Sequence, residues 1–166
     1  MKHKEALNNE IFSVITKAST NLKLQSYVIG GYVRDYLLER GLKKDIDIVT
    51  LGDGINLAKE VSNLLPHKPK VKVFKTYGTA MLRFNDIDIE FVGARKESYS
   101  KESRNPIVEV GTLEDDQNRR DFTINALAIS LSESNYGQLI DPFNVLKDLK
   151  DKCIKTPLEP DITYIY

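Results

Sequence analysis

Apolar positions change period several times along the chain, and each change marks an element. Over residues 4–20, Leu7, Ile11, Val14, Ile15 and Ala18 recur at helical spacing and predict an amphipathic first helix. "SYVI" (26–29) is a short apolar run broken by Gly30-Gly31, a strand that turns into a helix over "YVRDYLLER". Val33, Leu37 and Leu38 are its inward positions, and Gly41 is the expected stop. "DIDIVTL" alternates at period two, as a strand does, and "GINLAKEVSNLL" returns to helical spacing until Pro66. "KVKVFKT" and "TAMLRF" flank Tyr77-Gly78 as a hairpin, and "DIDIEFVGA" (86–94) follows an Asn85-Asp86 turn as a further strand.

Beyond residue 94 the pattern weakens. Residues 95–111 are polar without periodicity and read as a long loop. "TLEDDQNRRDFTINALAISL" places Thr112 as a helix cap, acidic residues in the first turn and an apolar continuation. "GQLIDPF" predicts a last short strand before Asp141-Pro142. The order α-β-α-β-α-β-β-β points to an α/β or α+β sandwich with a mixed sheet.

Composition narrows the chemistry. With 166 residues the chain holds one domain, or one domain and part of another. Lys plus Arg equals Asp plus Glu at 24 each, so overall charge announces neither a nucleic acid nor a membrane partner, although local clustering can still build a basic groove. One cysteine, Cys153, forbids an internal disulfide and suits a reducing compartment. His3 and His67 are the only histidines, which excludes a multi-histidine zinc site and argues against a histidine-based triad. No apolar run reaches transmembrane length, and the polar N-terminal stretch with Glu5 and Glu10 does not read as a signal peptide. The expectation is a cytoplasmic protein.

Three clusters carry candidate chemistry. Gly30 and Gly31 open a helix whose first N–H groups suit a phosphate, with Arg34 one turn in and Asp35 beside it. Asp45 and Asp47 share one face of a strand while Ile46 and Ile48 face the core; adjacent carboxylates repel unless a divalent cation lies between them, and oxygen-only ligation favours magnesium or manganese. Asp86, Asp88 and Glu90 repeat that pattern on another strand and offer a third carboxylate. Arg119, Arg120 and Asp121 lie where a polar segment turns apolar, at the rim of the core. The plain alternatives are a strand-to-helix turn, an acidic edge strand and a solvated helix. Lysines of "KPKVKVFK" (68–75) read as protection of a sheet edge rather than as a polyanion site.

Taken in order, "GGYVRDYLL", "KDIDIVT", "IEFVGAR" and "RRDFTINALAI" resemble the N-terminal head domain of the class II tRNA nucleotidyltransferase and bacterial poly(A) polymerase family, over most of residues 26–150. The resemblance implies a nucleotidyltransferase fold related to polymerase beta, with a mixed five-stranded sheet and helices packed on it. It implies Mg²⁺, or Mn²⁺ in its place, on Asp45 and Asp47, with Glu90 as the third acidic position. It assigns Gly30, Gly31, Arg34 and Asp35 to the triphosphate turn, and Arg120 and Asp121 to the incoming nucleotide and its ribose. The implied reaction moves a nucleotide from CTP or ATP to the 3′-hydroxyl of tRNA, with poly(A) addition to other RNA 3′ ends or non-catalytic nucleotide and RNA binding as alternatives. The implied division is an N-terminal helix (1–25), the head domain (26–150) and the start of a cut linker to a neck domain (151–166).

Two departures accompany the resemblance. Val145 stands in "DPFNVLKDL" where the family commonly has glycine, which predicts a disturbed turn. The helical Glu-Asp and arginine set with which the family reads base edges is expected after Tyr166. A phosphatase of the haloacid dehalogenase type also carries an Asp-x-Asp run, but there an apolar stretch precedes the aspartates. Here "GLKK" precedes Asp45 and the apolar residues follow.

Overall fold

Asn9 caps the first long helix, its Oδ1 accepting from the Ile11 N–H at 3.0 Å, so α1 runs Glu10–Asn21 and is preceded by a separate 3₁₀ turn, Lys4–Leu7. The computed structural model describes residues 2–41, 43–98 and 107–160. After α1 come β1 (Ser26–Ile29), α2 (Gly31–Leu37), β2 (Asp45–Thr50) and α3 (Gly54–Leu64). Next are β3 (Lys72–Phe74), β4 (Thr79–Phe84), β5 (Ile87–Gly93), β6 (Arg95–Ser98) and β7 (Ile107–Val110). The chain continues through α4 (Leu113–Asn118), β8 (Ala128–Ser130), β9 (Leu139–Ile140) and α5 (Val145–Asp151).

The main sheet has the order β3-β4-β5-β2-β1-β8-β9. Its β2–β5 pair is parallel and the other pairs are antiparallel, so the sheet is mixed as expected. It carries seven strands rather than five, because β3 and β9, of three and two residues, extend its edges. One face is covered by α1 and α3: Ile46, Ile48, Ile89 and Phe91 pack with Ile11, Phe12, Leu57 and Val61, all buried. Each such side chain contributes about 1.5–3 kcal/mol of transfer free energy. Helix α3 lies so close that a Cβ on Gly54 would sit 2.8 Å from the Val92 backbone, so glycine is required there. The opposite face holds only a small apolar cluster, with Tyr27, Ile29, Val49, Ala94 and Ala128. That leaves its β5 side open for chemistry.

Four expectations are corrected. Helix α2 ends at Leu37 rather than running to Gly41, since Glu39 turns left-handed (φ 54°) and the Arg40 N–H bonds back to the Asp35 carbonyl. The apolar continuation after α4 is not helical. A 3₁₀ turn, Thr123–Asn125, leads into β8, whose Ala-Ile-Ser run pairs with β1 and is buried throughout. A short apolar run fits a buried strand as well as a buried helix, and the free edge of β1 decides it. Residues 95–111 are not loop throughout, because β6 and β7 pair antiparallel as a separate two-stranded sheet; residues 99–106 lie outside the described residues. Val145 disturbs nothing: it is buried as the first residue of α5, and the left-handed turn position is Asn144 (φ 56°). Of the expected linker, 151–166, residues 161–166 lie outside the described residues.

Candidate active site

Strand pleat puts Asp45 and Asp47 on the open face, both exposed, while Ile46 and Ile48 are buried beneath. Parallel pairing with β5 sets Asp47 beside Glu90 and Asp45 beside Asp88. Asp86 is not on that face, because with Asn85 it forms the left-handed turn ahead of β5. The third acidic position next to Asp47 is therefore Glu90. Protein packed around the Asp47 carboxylate raises its pKa by desolvation; Arg120 pulls it back and Asp45 raises it further. The Glu90 pKa is raised by desolvation and then by Asp47. Both shifts are therefore set mainly by the loss of water around the carboxylates, with mutual repulsion adding to it.

The glycine turn reaches the same place. Gly30 adopts φ 83°, ψ −140°, a conformation that suits glycine, and its N–H donates to the Leu127 carbonyl at 3.1 Å. A Cβ on Gly30 would lie 3.5 Å from Asp47 Oδ2 and 3.5 Å from Arg120 Nη1. Turn, carboxylate and arginine thus converge on one point. The first intrahelical bond of α2 is Arg34 N–H to Gly30 O, which leaves the preceding N–H groups of the first turn without a helical acceptor.

Arginine placement depends on buried carboxylates. Asp116, fully buried in α4, accepts from Arg119 through Oδ1 (2.7 and 3.0 Å) and from Arg120 through Oδ2 (3.0 and 3.2 Å). Arg120 Nη1 also donates to the Asn125 carbonyl at 3.3 Å. Asp35 is 1% exposed and accepts from Arg34 and Lys43, which hold its pKa down at about 2, Arg34 hydrogen bonding being the largest cause. It stands behind Arg34 and positions that side chain instead of facing the open side of the sheet. Arg34 Nη1 donates to Asn125 Oδ1 at 2.9 Å, and Asn125 Nδ2 donates to Asp121 Oδ1 at 3.1 Å. Asp116 and Asn125 were not singled out from sequence. Asp116 sits in an acidic first turn that looks like simple helix-dipole complementation.

A cleft of about 530 Å³ opens over this face. Asp47 and Glu90 line one part, Arg119, Arg120 and Arg95 another, and Phe74 and Tyr77 its far rim. Among the described residues no three carboxylate, histidine or cysteine side chains converge as a closed metal cage. Two adjacent carboxylates with an open side are instead the donor set that a hard divalent cation uses when substrate phosphates complete its shell.

The poly A polymerase head domain family matches residues 26–155. The chain belongs to that family. A-adding tRNA nucleotidyltransferase from Aquifex aeolicus (strain VF5) is 46% identical over 132 residues, covering 80% of this chain and 16% of that protein. Among solved structures, apo form II of a CCA-adding enzyme superposes with a TM-score of 0.82 at 32% identity, covering 99% of this chain and 40% of the other. A tRNA nucleotidyltransferase complexed with a primer tRNA and an incoming ATP analogue gives 0.73 at 40% identity, covering 87% and 39%. The chain therefore spans well under half the length of these relatives. As in the family generally, divalent metal ions belong to the chemistry of a poly A polymerase head domain. Its mixed α/β sheet is the nucleotidyltransferase fold. Among the described residues no helix is long and apolar enough to cross a membrane.

Proposed function

We propose that this head domain transfers a nucleoside monophosphate from ATP or CTP to the 3′-hydroxyl of tRNA without a template, releasing pyrophosphate, in the cytoplasm. The convergence of Gly30, Asp47 and Arg120 on one point carries the reading. Asp45 and Asp47 would hold Mg²⁺, with Mn²⁺ able to replace it, and Glu90 is the adjacent third carboxylate. A cation bound there supplies polarisation of the α-phosphate and a lower pKa for the attacking hydroxyl. Gly30, Gly31 and Arg34 receive the β- and γ-phosphates, and Asp35, Asn125 and Lys43 keep Arg34 in place. Arg120 and Asp121 meet the nucleotide and its ribose.

Calorimetry of residues 1–166 with ATP, CTP, GTP and UTP tests the binding half. Weak, Mg²⁺-dependent binding with little preference among the four is expected, because the residues proposed to meet the nucleotide hold its phosphates and ribose and none of them reads a base edge. Metal-dependent incorporation of labelled AMP or CMP into a tRNA lacking its 3′ end tests transfer, with slow turnover expected of residues 1–166 alone. In the same titrations Arg120→Ala weakens ATP binding, and Asp121→Ala narrows the gap between ATP and dATP. If affinity and selectivity stay as in the parent, the cluster is a solvated helix end and nothing more.

Asn125→Ala removes a bond to a charged donor, for which about 1.5–3 kcal/mol is typical, and releases Arg34 from Asp121. A rise in the ATP dissociation constant of roughly tenfold, with unchanged circular dichroism, is the expected result. A variant that binds ATP like the parent removes Asn125 from the site.

A further inference from the structure

Phe74 and Tyr77 are large apolar side chains left 45% and 70% exposed, and both border the cleft. Neither serves the triphosphate or the metal. Sheet register shows how they relate to the carboxylates. One row across the open face runs Asp47, Glu90, Met81, Lys72, and the next runs Val49, Val92, Thr79, Phe74. Phe74 thus lines the cleft and Lys72 lies on the same open face beside it, whereas Val73 between them packs against the core. A 3₁₀ turn, Lys75–Tyr77, closed by Gly78 in the left-handed region (φ 64°), carries Tyr77 to the same rim. Three strand spacings, about 14 Å, separate Lys72 from Asp47.

Displacement at phosphorus fixes which substrate part lies on this side. Attacking and leaving oxygens are in line, so the acceptor approaches opposite the departing pyrophosphate. With the β- and γ-phosphates at Gly30 and Arg34, on the β1 side of Asp47, the acceptor comes over β5, β4 and β3. We infer that Phe74 and Tyr77 form a stacking platform for the 3′-terminal base of the RNA acceptor, with Lys72 meeting its backbone phosphate. This rests on the proposed nucleotidyl transfer. Aromatic faces stack on any base, and an adjacent lysine supplies the charge complement that single-stranded RNA requires. The lysines of this edge strand then do more than block edge pairing.

The test uses residues 1–166 and a short single-stranded RNA carrying 2-aminopurine at its 3′-terminal position, or five nucleotides inward. Quenching on binding is expected for the terminal probe and not for the inner one. Phe74→Ala with Tyr77→Ala should abolish the quenching and weaken RNA binding about 5- to 100-fold. Tyr77→Phe should preserve both, since stacking needs the ring and not the hydroxyl. Lys72→Ala should weaken RNA binding and flatten its salt dependence. Mg²⁺-ATP affinity, measured in parallel, should stay within about twofold in every variant. Unchanged RNA binding in the double variant, or no RNA binding by the parent, overturns the platform. A matching loss of ATP affinity also overturns it and gives the aromatics to the incoming base. Failure of the parent to bind Mg²⁺-ATP at all would instead sink the transferase reading.

Discussion

Asp47→Asn and Asp45→Asn are each expected to lower nucleotide transfer by about a thousandfold or more, because a metal ligand lost from such a site removes several kcal/mol of charge stabilisation. Folding should survive in both. Asp47 has a folded-state pKa raised above the ordinary aspartate value, first through desolvation and next against the pull of Arg120, so its ionised form opposes folding at neutral pH. A carboxyl whose pKa rises on folding binds its proton more tightly in the native state, so native stability is penalised as pH rises through that pKa and relieved as pH falls below it. The neutral Asp47→Asn chain should melt at the same temperature as the parent or higher. Saturating Mg²⁺, present at about a hundred times its dissociation constant, should stabilise the parent by roughly 2.7 kcal/mol and leave the Asp47→Asn chain unmoved. That metal effect should fade as acid protonates Asp47 and Glu90, beginning at a higher pH than for ordinary carboxylates. Full activity in both variants would rule out the aspartate pair as the metal site.

Asp116→Ala is expected to be the most damaging substitution for the fold of the site. One buried carboxylate anchors both Arg119 and Arg120, and truncating it leaves two guanidinium groups, only 23% and 16% exposed, without their partner. Breaking a buried pair from one side costs about 3–5 kcal/mol, which at roughly 2–4 °C per kcal/mol for a chain of this size lowers the melting temperature by about 6–20 °C. Binding of ATP should fall with it, since Arg120 is no longer aimed at the cleft. Arg119→Ala or Arg120→Ala alone should be milder for stability, because the other arginine still neutralises Asp116. Differential scanning calorimetry of the three variants decides this; equal melting temperatures for Asp116→Ala and the parent would show that the arginines are held by something else.

The parts of the site that sequence made legible are those in which neighbours along the chain are neighbours in space. Alternation in "DIDIV" fixes which way Asp45 and Asp47 point, whatever the strand pairs with, and Gly30 with a positive φ is a local requirement of the turn. Alternation alone places Glu90 on a face but not beside Asp47, a neighbour only the family resemblance suggested, because that adjacency comes from a parallel register between strands 43 residues apart. Asp116 and Asn125 were hidden for a different reason. Asn125 reaches Arg34, far back in the chain, through the 3₁₀ turn at Thr123–Asn125, and the apolar run that follows reads equally as helix or strand until β1 is there to receive it; Asp116 meets Arg119 and Arg120 at ordinary helical spacing, and only its burial sets it apart. The β6–β7 pair was invisible because its residues show no alternation; backbone pairing alone defines it.

Strand β2 holds two messages interleaved at single-residue spacing, one written in aspartate for the solvent and one in isoleucine for the interior. Inserting or deleting one residue within it would exchange them, turning Asp45 and Asp47 inward and Ile46 and Ile48 into water. The segment is therefore locked in phase: individual letters can drift, but its length cannot. The exit from the strand shares the lock, since a side chain on Gly93 would collide with the Gly52 carbonyl and Asp53 already caps the next helix.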